Sequence, residues 1–136
     1  MKKMITIAVD AMGGDNSPQK IIDGIELHNN NSKNVFYKIF GDKNIIDPII
    51  QKKNIDKNIF EIIHTEEKVK GEDTAFAAAK RGKNTSMWLA IESVKNNSSD
   101  IIVSAGNTGA LLVIAKLNLS MIENIDKPAL SGLWPS

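Results

Sequence analysis

The chain has 136 residues, of which 42% are hydrophobic and 24% charged, and its formal net charge at pH 7 is +1. This length predicts one domain with a real core, and the small net charge gives no general attraction to nucleic acid or acidic lipid. The absence of cysteine excludes disulfides, thiolate catalysis and cysteine-bound metals. Only 5% of the residues are aromatic, so stacking on nucleic-acid bases is poorly supported.

The first residues do not have the pattern of a targeting segment. Met1 to Met4 precede a short strand-like run and lack the apolar core and cleavage site of a secretory signal. No segment reaches the roughly 20 apolar residues of a membrane span. We therefore expect a cytoplasmic protein.

A predicted strand followed by a glycine turn opens the chain. The β-rich run from Ile5 to Val9 predicts the strand, which closes on Asp10. Residues 11–16 form the glycine turn. Ser17 as N-cap and Pro18 at the first helical position predict that a helix follows.

Strands and helices then alternate. The predicted elements between residues 35 and 95 are strand Val35–Phe40, helix Ile45–Gln51, strand Ile59–Ile63, helix Ala75–Lys80 and a helix starting at Thr85. Pro48 is expected in the first turn of its helix, where its missing N–H is tolerated. Residues 66–74 are polar and charged, which predicts an exposed loop.

A second strand, turn and helix organise the rest of the chain. Ile101–Val103 is a β-branched run typical of a strand buried on both faces. Residues 104–109 are small and polar, and an apolar helix follows, for which Asn107 or Thr108 can act as the cap. A helix N-terminus suits phosphate or carboxylate. The spacing is neither a Walker loop nor GxGxxG, so an ordinary βα turn explains it equally well.

This alternation predicts an α/β protein, a three-layer α/β/α sandwich with a mainly parallel sheet. Ligands bind beyond the carboxyl ends of the strands in such sheets, and both glycine turns follow carboxyl ends. We therefore expect the two turns to converge on an anion or acyl-phosphate pocket. Ala129–Trp134 predicts one more strand, after which the chain stops, so we expect a sheet that is incomplete at the C-terminus.

Several separate blocks of sequence resemble the bacterial phosphate acyltransferase family PlsX. The first is Asp10–Asp15 after the opening strand, and the second is Ser104–Leu111. The surroundings also match, at Ser86-Met87, Ala90–Glu92 and Ile125–Ala129. The blocks occur in the family's order, from the first strand to the last residue.

The resemblance implies transfer of a fatty acyl group from acyl carrier protein to inorganic phosphate, giving acyl phosphate for phospholipid synthesis. It implies a fold like that of the isocitrate and isopropylmalate dehydrogenases, a homodimer, and possible association with the inner face of the cell membrane. Family members are much longer, so residues 1–136 are identified as the N-terminal part of a single acyltransferase domain.

Attack of phosphate on a thioester needs a bound phosphate, a carbonyl held nearby and donors for the developing oxyanion. It needs no redox cofactor, and we expect none. We assign catalytic roles to Asn107 and Ser104, and we predict a phosphate-binding set of Gly106, Thr108, Gly109, Gly13, Gly14, Asp10, Asp15 and Asn16. Because a carboxylate repels phosphate, a structural role is favoured for at least one of Asp10 and Asp15.

Other readings stay open. His28 and His64 lack metal-ligand spacing, so we expect no metal site.

The same two turns would also suit a nucleotide- or phosphometabolite-binding enzyme, although the dinucleotide fingerprint is absent. A non-catalytic fragment that binds phosphate weakly is the third reading.

Overall fold

A four-stranded parallel sheet forms the centre of the protein, whose computed structural model describes residues 4–53 and 55–133. In chain order the elements are β1 (Ile5–Asp10), α1 (Gln19–Asn31), β2 (Val35–Gly41), α2 (Lys43–Lys52), β3 (Phe60–His64), α3 (Ala75–Arg81), α4 (Ser86–Lys95), β4 (Ile101–Ser104) and α5 (Thr108–Asn118). The strand order is β3-β2-β1-β4, and each neighbouring pair is parallel. The predicted α/β class with a parallel sheet is confirmed.

Helices cover both faces of the sheet because successive strand residues point to opposite sides. Val9 and Ile39 pack on one face against a cluster that includes Ile22 of α1 and Ile46 of α2. On the other face the cluster comprises Ala8, Phe40 and Ala90, the last from α4. A third cluster joins α4 to α3 and α5 through Met87, Ile91, Ala78, Ala110 and Ile114. The result is the layered arrangement that the alternation predicts.

The register of the sheet brings the ends of β1 and β4 together. Asp10 lies opposite Phe40 of β2 on one side and opposite Ser104 of β4 on the other. The turns that leave these two strands therefore start next to each other, at the carboxyl edge of the sheet.

The prediction that β4 is buried on both faces is wrong. Ile101 is 50% exposed and Val103 is 51% exposed, whereas Ile102 between them packs against α4 and α5. Within the described residues β4 pairs with β1 alone, so it is an edge strand. Helix α1 packs over β1 and β2 and leaves the outer side of β4 open, and a groove of about 350 Å³ separates α1 from Val103.

Helix α1 starts one residue later than the capping pattern predicts. The Ser17 hydroxyl donates to the carbonyl of Gly13 instead of capping the helix, and Pro18 occupies the cap position with no side-chain hydrogen bond. This local bond within the glycine turn therefore competes successfully with the capping preference of serine.

Helix α2 begins earlier than predicted, which moves Pro48 away from the first turn. The Asp42 side chain caps the helix by accepting from the backbone N–H of Asn44 at 2.9 Å. Pro48 consequently lies inside α2, between the buried residues Ile46 and Ile50. The burial of these two isoleucines holds the helix across the missing hydrogen bond.

The predicted last strand is not present in the described part of its range. Residues 129–133 have no regular secondary structure, and Leu130 and Leu133 are exposed. Trp134 lies outside the described residues, as do Met1 to Lys3 of the predicted N-terminal segment. In the described part of the chain, no helix has the length and apolar character needed to cross a membrane.

Candidate functional site

Two glycine turns pack directly against each other at the carboxyl edge of the sheet. In the structure the first glycine turn extends over residues 11–18, and the second is confined to residues 105–107 between β4 and α5. A β-carbon built on Gly13 would lie 3.0 Å from the backbone N and Cα of Gly106. One built on Gly14 would lie 2.5 Å from the carbonyl oxygen of Ala105, and Gly14 has a φ of +87°. Side chains at these positions would push the turns apart.

A buried carboxylate ties the two turns together. Asp10 is 1% exposed. Its Oδ2 accepts from the Ser104 hydroxyl at 2.7 Å, and its Oδ1 accepts from the Ser86 hydroxyl at 2.6 Å and from the N–H of Met12 at 3.3 Å. The Ser104 oxygen accepts in turn from the N–H of Gly106 at 3.1 Å. Asp10 therefore fixes the ends of β1 and β4, and the Ser104 hydroxyl is engaged within the protein.

Sequence reasoning gave Ser86 no role, although it lies in one of the blocks that carry the family resemblance. The residue is 1% exposed at the start of α4, and its hydroxyl supplies the second donor to Asp10. Its backbone N–H donates to the carbonyl of Glu67 at 2.9 Å. Ser86 thus connects the glycine turns to the segment that follows β3.

Asn107 caps α5, as the sequence predicts for Asn107 or Thr108. Its Oδ1 accepts from the N–H of Ala110 at 3.0 Å, and Thr108 is the first residue of the helix. The side-chain amide of Asn107 also donates to the carbonyls of Gly71 and Asp73, at 3.0 Å and 2.8 Å. These bonds join the second glycine turn to a distant segment of the chain.

The glycine turns and that segment line an open cavity of about 750 Å³. Its lining residues are Met12, Gly14, Asp15, Lys68, Val69, Lys70, Gly71, Glu72, Ala105, Gly106, Asn107, Thr108 and Gly109. Six of the ten predicted site residues are in this set. The other four do not line the cavity: Asp10, Gly13 and Ser104 connect the turns behind it, and Asn16 is exposed with a φ of 58°.

The lysine segment, residues 68–73, is the part of the site that sequence reasoning missed. It lies within the stretch predicted to be an exposed loop, but Val69 is only 7% exposed and packs against the α4 and α5 cluster. Lys68 and Lys70, on either side of it, are exposed and line the cavity. The only local signal was one apolar residue between two lysines.

Asp73 holds the far end of the lysine segment in place. Its Oδ2 accepts from the backbone N–H of Lys70 at 2.8 Å, and its Oδ1 pairs with the guanidinium of Arg81. The Lys70 N–H is the largest influence that keeps the pKa of Asp73 below its usual value, and Arg81 lowers the pKa further, against partial desolvation. Asp73 therefore remains a carboxylate that stabilises this turn.

Comparison with known proteins identifies the family. The sequence profile described as "Fatty acid synthesis protein" matches residues 5–136. The phosphate acyltransferase of Pelagibacter ubique is 66% identical over 136 residues, which are 100% of this chain and 40% of that protein. The phosphate acyltransferase of Parvibaculum lavamentivorans is 42% identical over 137 residues, and that of Paramagnetospirillum magneticum is 38% identical over 136 residues.

Both of those alignments cover 100% of this chain, and they cover 38% and 39% of the respective relatives. The chain thus spans 40% or less of the length of these three proteins. Because the family match covers nearly the whole sequence, the family resemblance carried by the two glycine turns is confirmed. The chain belongs to the PlsX family of fatty acid synthesis proteins.

Proposed function

We propose that the whole protein transfers a fatty acyl group from acyl carrier protein to inorganic phosphate, giving acyl phosphate for phospholipid synthesis. Its relatives are named phosphate acyltransferases, and its family is one of fatty acid synthesis. The single observation that supports this site as the place of the reaction is the cavity bounded by the two glycine turns and the lysine segment. Cavities of this size are typical of small-molecule sites.

The start of α5 supplies donors for the phosphate. The N–H of Ala110 is capped by Asn107, and the N–H of Leu111 donates to the Asn107 carbonyl. Within the described residues, the N–H groups of Thr108 and Gly109 have no protein acceptor. Both residues line the cavity, where the partial positive charge of the helix terminus favours an anion.

In the proposed reaction a phosphate oxygen attacks the carbonyl carbon of the acyl thioester. The carbon–sulfur bond breaks, the carrier leaves as its thiolate, and the acyl group remains bonded to phosphate. The protein contributes position and charge stabilisation, because phosphate is already an ionised nucleophile at neutral pH. The catalytic roles of Ser104 and Asn107 stay predictions; the hydrogen bonds of both side chains favour positioning roles.

The proposal includes the finer features that the resemblance implies. These are an arrangement like that of the isocitrate and isopropylmalate dehydrogenases, with residues 1–136 as the N-terminal part of one acyltransferase domain. They also include a homodimer, a cytoplasmic location and peripheral contact with the membrane.

The test compares this chain with an extended version. The extended version carries, in addition, the part of the Pelagibacter ubique protein that lies outside the alignment, so that it reaches the length of its relatives. Phosphate-dependent loss of acyl–acyl carrier protein is measured for both, with phosphate-free reactions as controls. We expect activity in the extended chain. Activity in neither protein contradicts the proposal, and a nucleotide affinity above the phosphate affinity would favour a nucleotide-binding enzyme instead.

A further inference from the structure

Two lysines outside every recognised motif line the cavity opposite the glycine turns. We infer that Lys68 and Lys70 are the cationic contacts of the bound anion and that Asn107 is the positioning residue that holds them there. The identity of the anion, inorganic phosphate, rests on the proposed function. The assignment of the three residues rests on their contacts and on the charge of the cavity lining.

The lysine segment is anchored on both sides of the lysines. Before them, the carbonyl of Glu67 accepts from the N–H of Ser86 at 2.9 Å, and Val69 is buried between them. After them, the N–H of Asp73 donates to the carbonyl of Lys70 at 3.2 Å. A backbone held at these points keeps both lysines at the cavity lining, so that binding an anion orders only their side chains.

Asn107 connects this segment to the helix terminus that lies across the cavity. The side-chain oxygen of Asn107 caps α5. The two hydrogens of its side-chain amide are donated to the backbone carbonyls of Gly71 and Asp73. The side chain therefore has no donor left for a substrate. Its contribution to anion binding is to hold the lysine segment and the N-terminus of α5 at a fixed separation.

The charges of the cavity lining make the binding of phosphate depend on the two lysines. Lys68 and Lys70 are balanced by two carboxylates, Asp15 and Glu72, which also line the cavity. Among the described residues neither lysine has a carboxylate oxygen within ion-pair distance, although the charge of Lys70 acts on the nearby Asp73. Removal of either ammonium group would leave a net negative lining that repels phosphate, whereas removal of a carboxylate would leave a net positive one.

The first experiment titrates the isotopically labelled chain with inorganic phosphate and follows the backbone amide NMR signals of Thr108 and Gly109. We expect saturable shifts, with a Kd that rises about tenfold in Lys68→Gln and in Lys70→Gln, since hydrogen bonds to charged groups are among the stronger ones. Glu72→Gln should lower the Kd. Lys116→Gln, in the last turn of α5, is the control and should leave it unchanged.

Either of two results overturns the lysine assignment. One is the absence of a saturable shift in the unmodified chain, and the other is an unchanged Kd in the variant that lacks both lysines. Circular dichroism of each variant separates a lost contact from a lost fold.

A second experiment tests the positioning role with Asn107→Ser. Serine retains an oxygen that caps α5 but has no amide to reach the lysine segment. We expect a higher Kd for phosphate, and we expect Lys68→Gln to have a smaller effect in this background than in the unmodified chain. A merely structural role would leave the two effects additive. Full additivity would therefore overturn the role of Asn107 and leave the lysine contacts standing.

The acyl-transfer assay on the extended chain separates this inference from the proposed function. Lysine variants should raise the KM for phosphate more than they lower kcat. If the extended chain transfers no acyl group but phosphate binding still depends on the lysines, the inference holds and the function fails. If transfer occurs and the lysine variants keep the phosphate KM, the function holds and the inference fails.

Discussion

Replacing Gly13 by alanine tests the close approach of the two glycine turns. The added β-carbon would lie 2.5 Å from Asp10 Oδ2 and 3.0 Å from the backbone N and Cα of Gly106. Contacts this short require the buried carboxylate, the opposite turn or both to move. Because Asp10 holds Ser86 and Ser104, a local clash is transmitted to both serines.

The expected size of the effect follows from two contributions. Overpacking a well-packed site costs about 1–3 kcal/mol. Displacement of the carboxylate weakens hydroxyl hydrogen bonds to a charged group, each of which contributes about 1.5–3 kcal/mol. We expect Gly13→Ala to lower the free energy of unfolding by about 3 kcal/mol, a large part of the roughly 5–15 kcal/mol of a typical domain.

Urea unfolding monitored by circular dichroism provides the measurement, with two glycines as matched controls. A β-carbon on Gly24, inside α1, meets nothing within 4 Å, so alanine there should stabilise the protein by up to about 1 kcal/mol. A β-carbon on Gly109 meets only ordinary contacts at 3.5 and 3.6 Å. If Gly13→Ala unfolds at the same urea concentration as these controls, the two turns do not pack as described.

Three further predictions concern a cap, the core and pH. Thr85→Ala removes the oxygen that accepts from the N–H of Trp88 at 3.3 Å at the start of α4, and should lower the free energy of unfolding by about 1 kcal/mol. Ile22→Ala, at a side chain that is 0% exposed, should lower it by about 2–5 kcal/mol; a loss below 1 kcal/mol would contradict the packing of α1. Both losses are measured by urea unfolding. The folded-state pKa of Asp73 is lowered, so its contribution to stability is complete above the unfolded value of about 4 and is lost as pH falls through the folded value. Asp73→Asn should therefore reduce the dependence of the free energy of unfolding on pH in that acid range. An unchanged pH dependence would refute the stabilising role of the contacts that Asp73 makes.

The sequence predicted those parts of the fold that depend on local pattern. Alternating β-rich and helical runs are enough to predict a parallel sheet covered on both faces, because each run must bury its apolar side. The cap at Asn107 is equally local, since the side chain needs only the N–H three residues ahead. The meeting of the two glycine turns follows from the carboxyl ends of neighbouring parallel strands.

Features that depend on distant neighbours could not be predicted in the same way. The exposure of Val103 depends on whether another strand lies beside β4, which a β-branched run does not reveal. The role of Ser17 was missed for a different reason, because two local bonds compete: its hydroxyl bonds within the glycine turn, although its position before a proline favours a cap. Lys68 and Lys70 line the cavity because Val69 is buried and because Asn107 reaches Gly71, which lies 36 positions away in the chain.

The long separation between Asp10 and Ser104 has a consequence for the order in which the protein matures on the ribosome. Their side chains bond across 94 residues of chain, so at about 5–20 residues per second the carboxylate is made roughly 5–20 s before Ser104, the last of its three donors. Until then β1 has only β2 to pair with, and burial of the carboxylate would leave it short of donors, which is costly. Before β4 is made, the nascent chain therefore lacks the second glycine turn and the wall of the cavity that this turn provides. The cavity between the two glycine turns can form only after β4 has been synthesised.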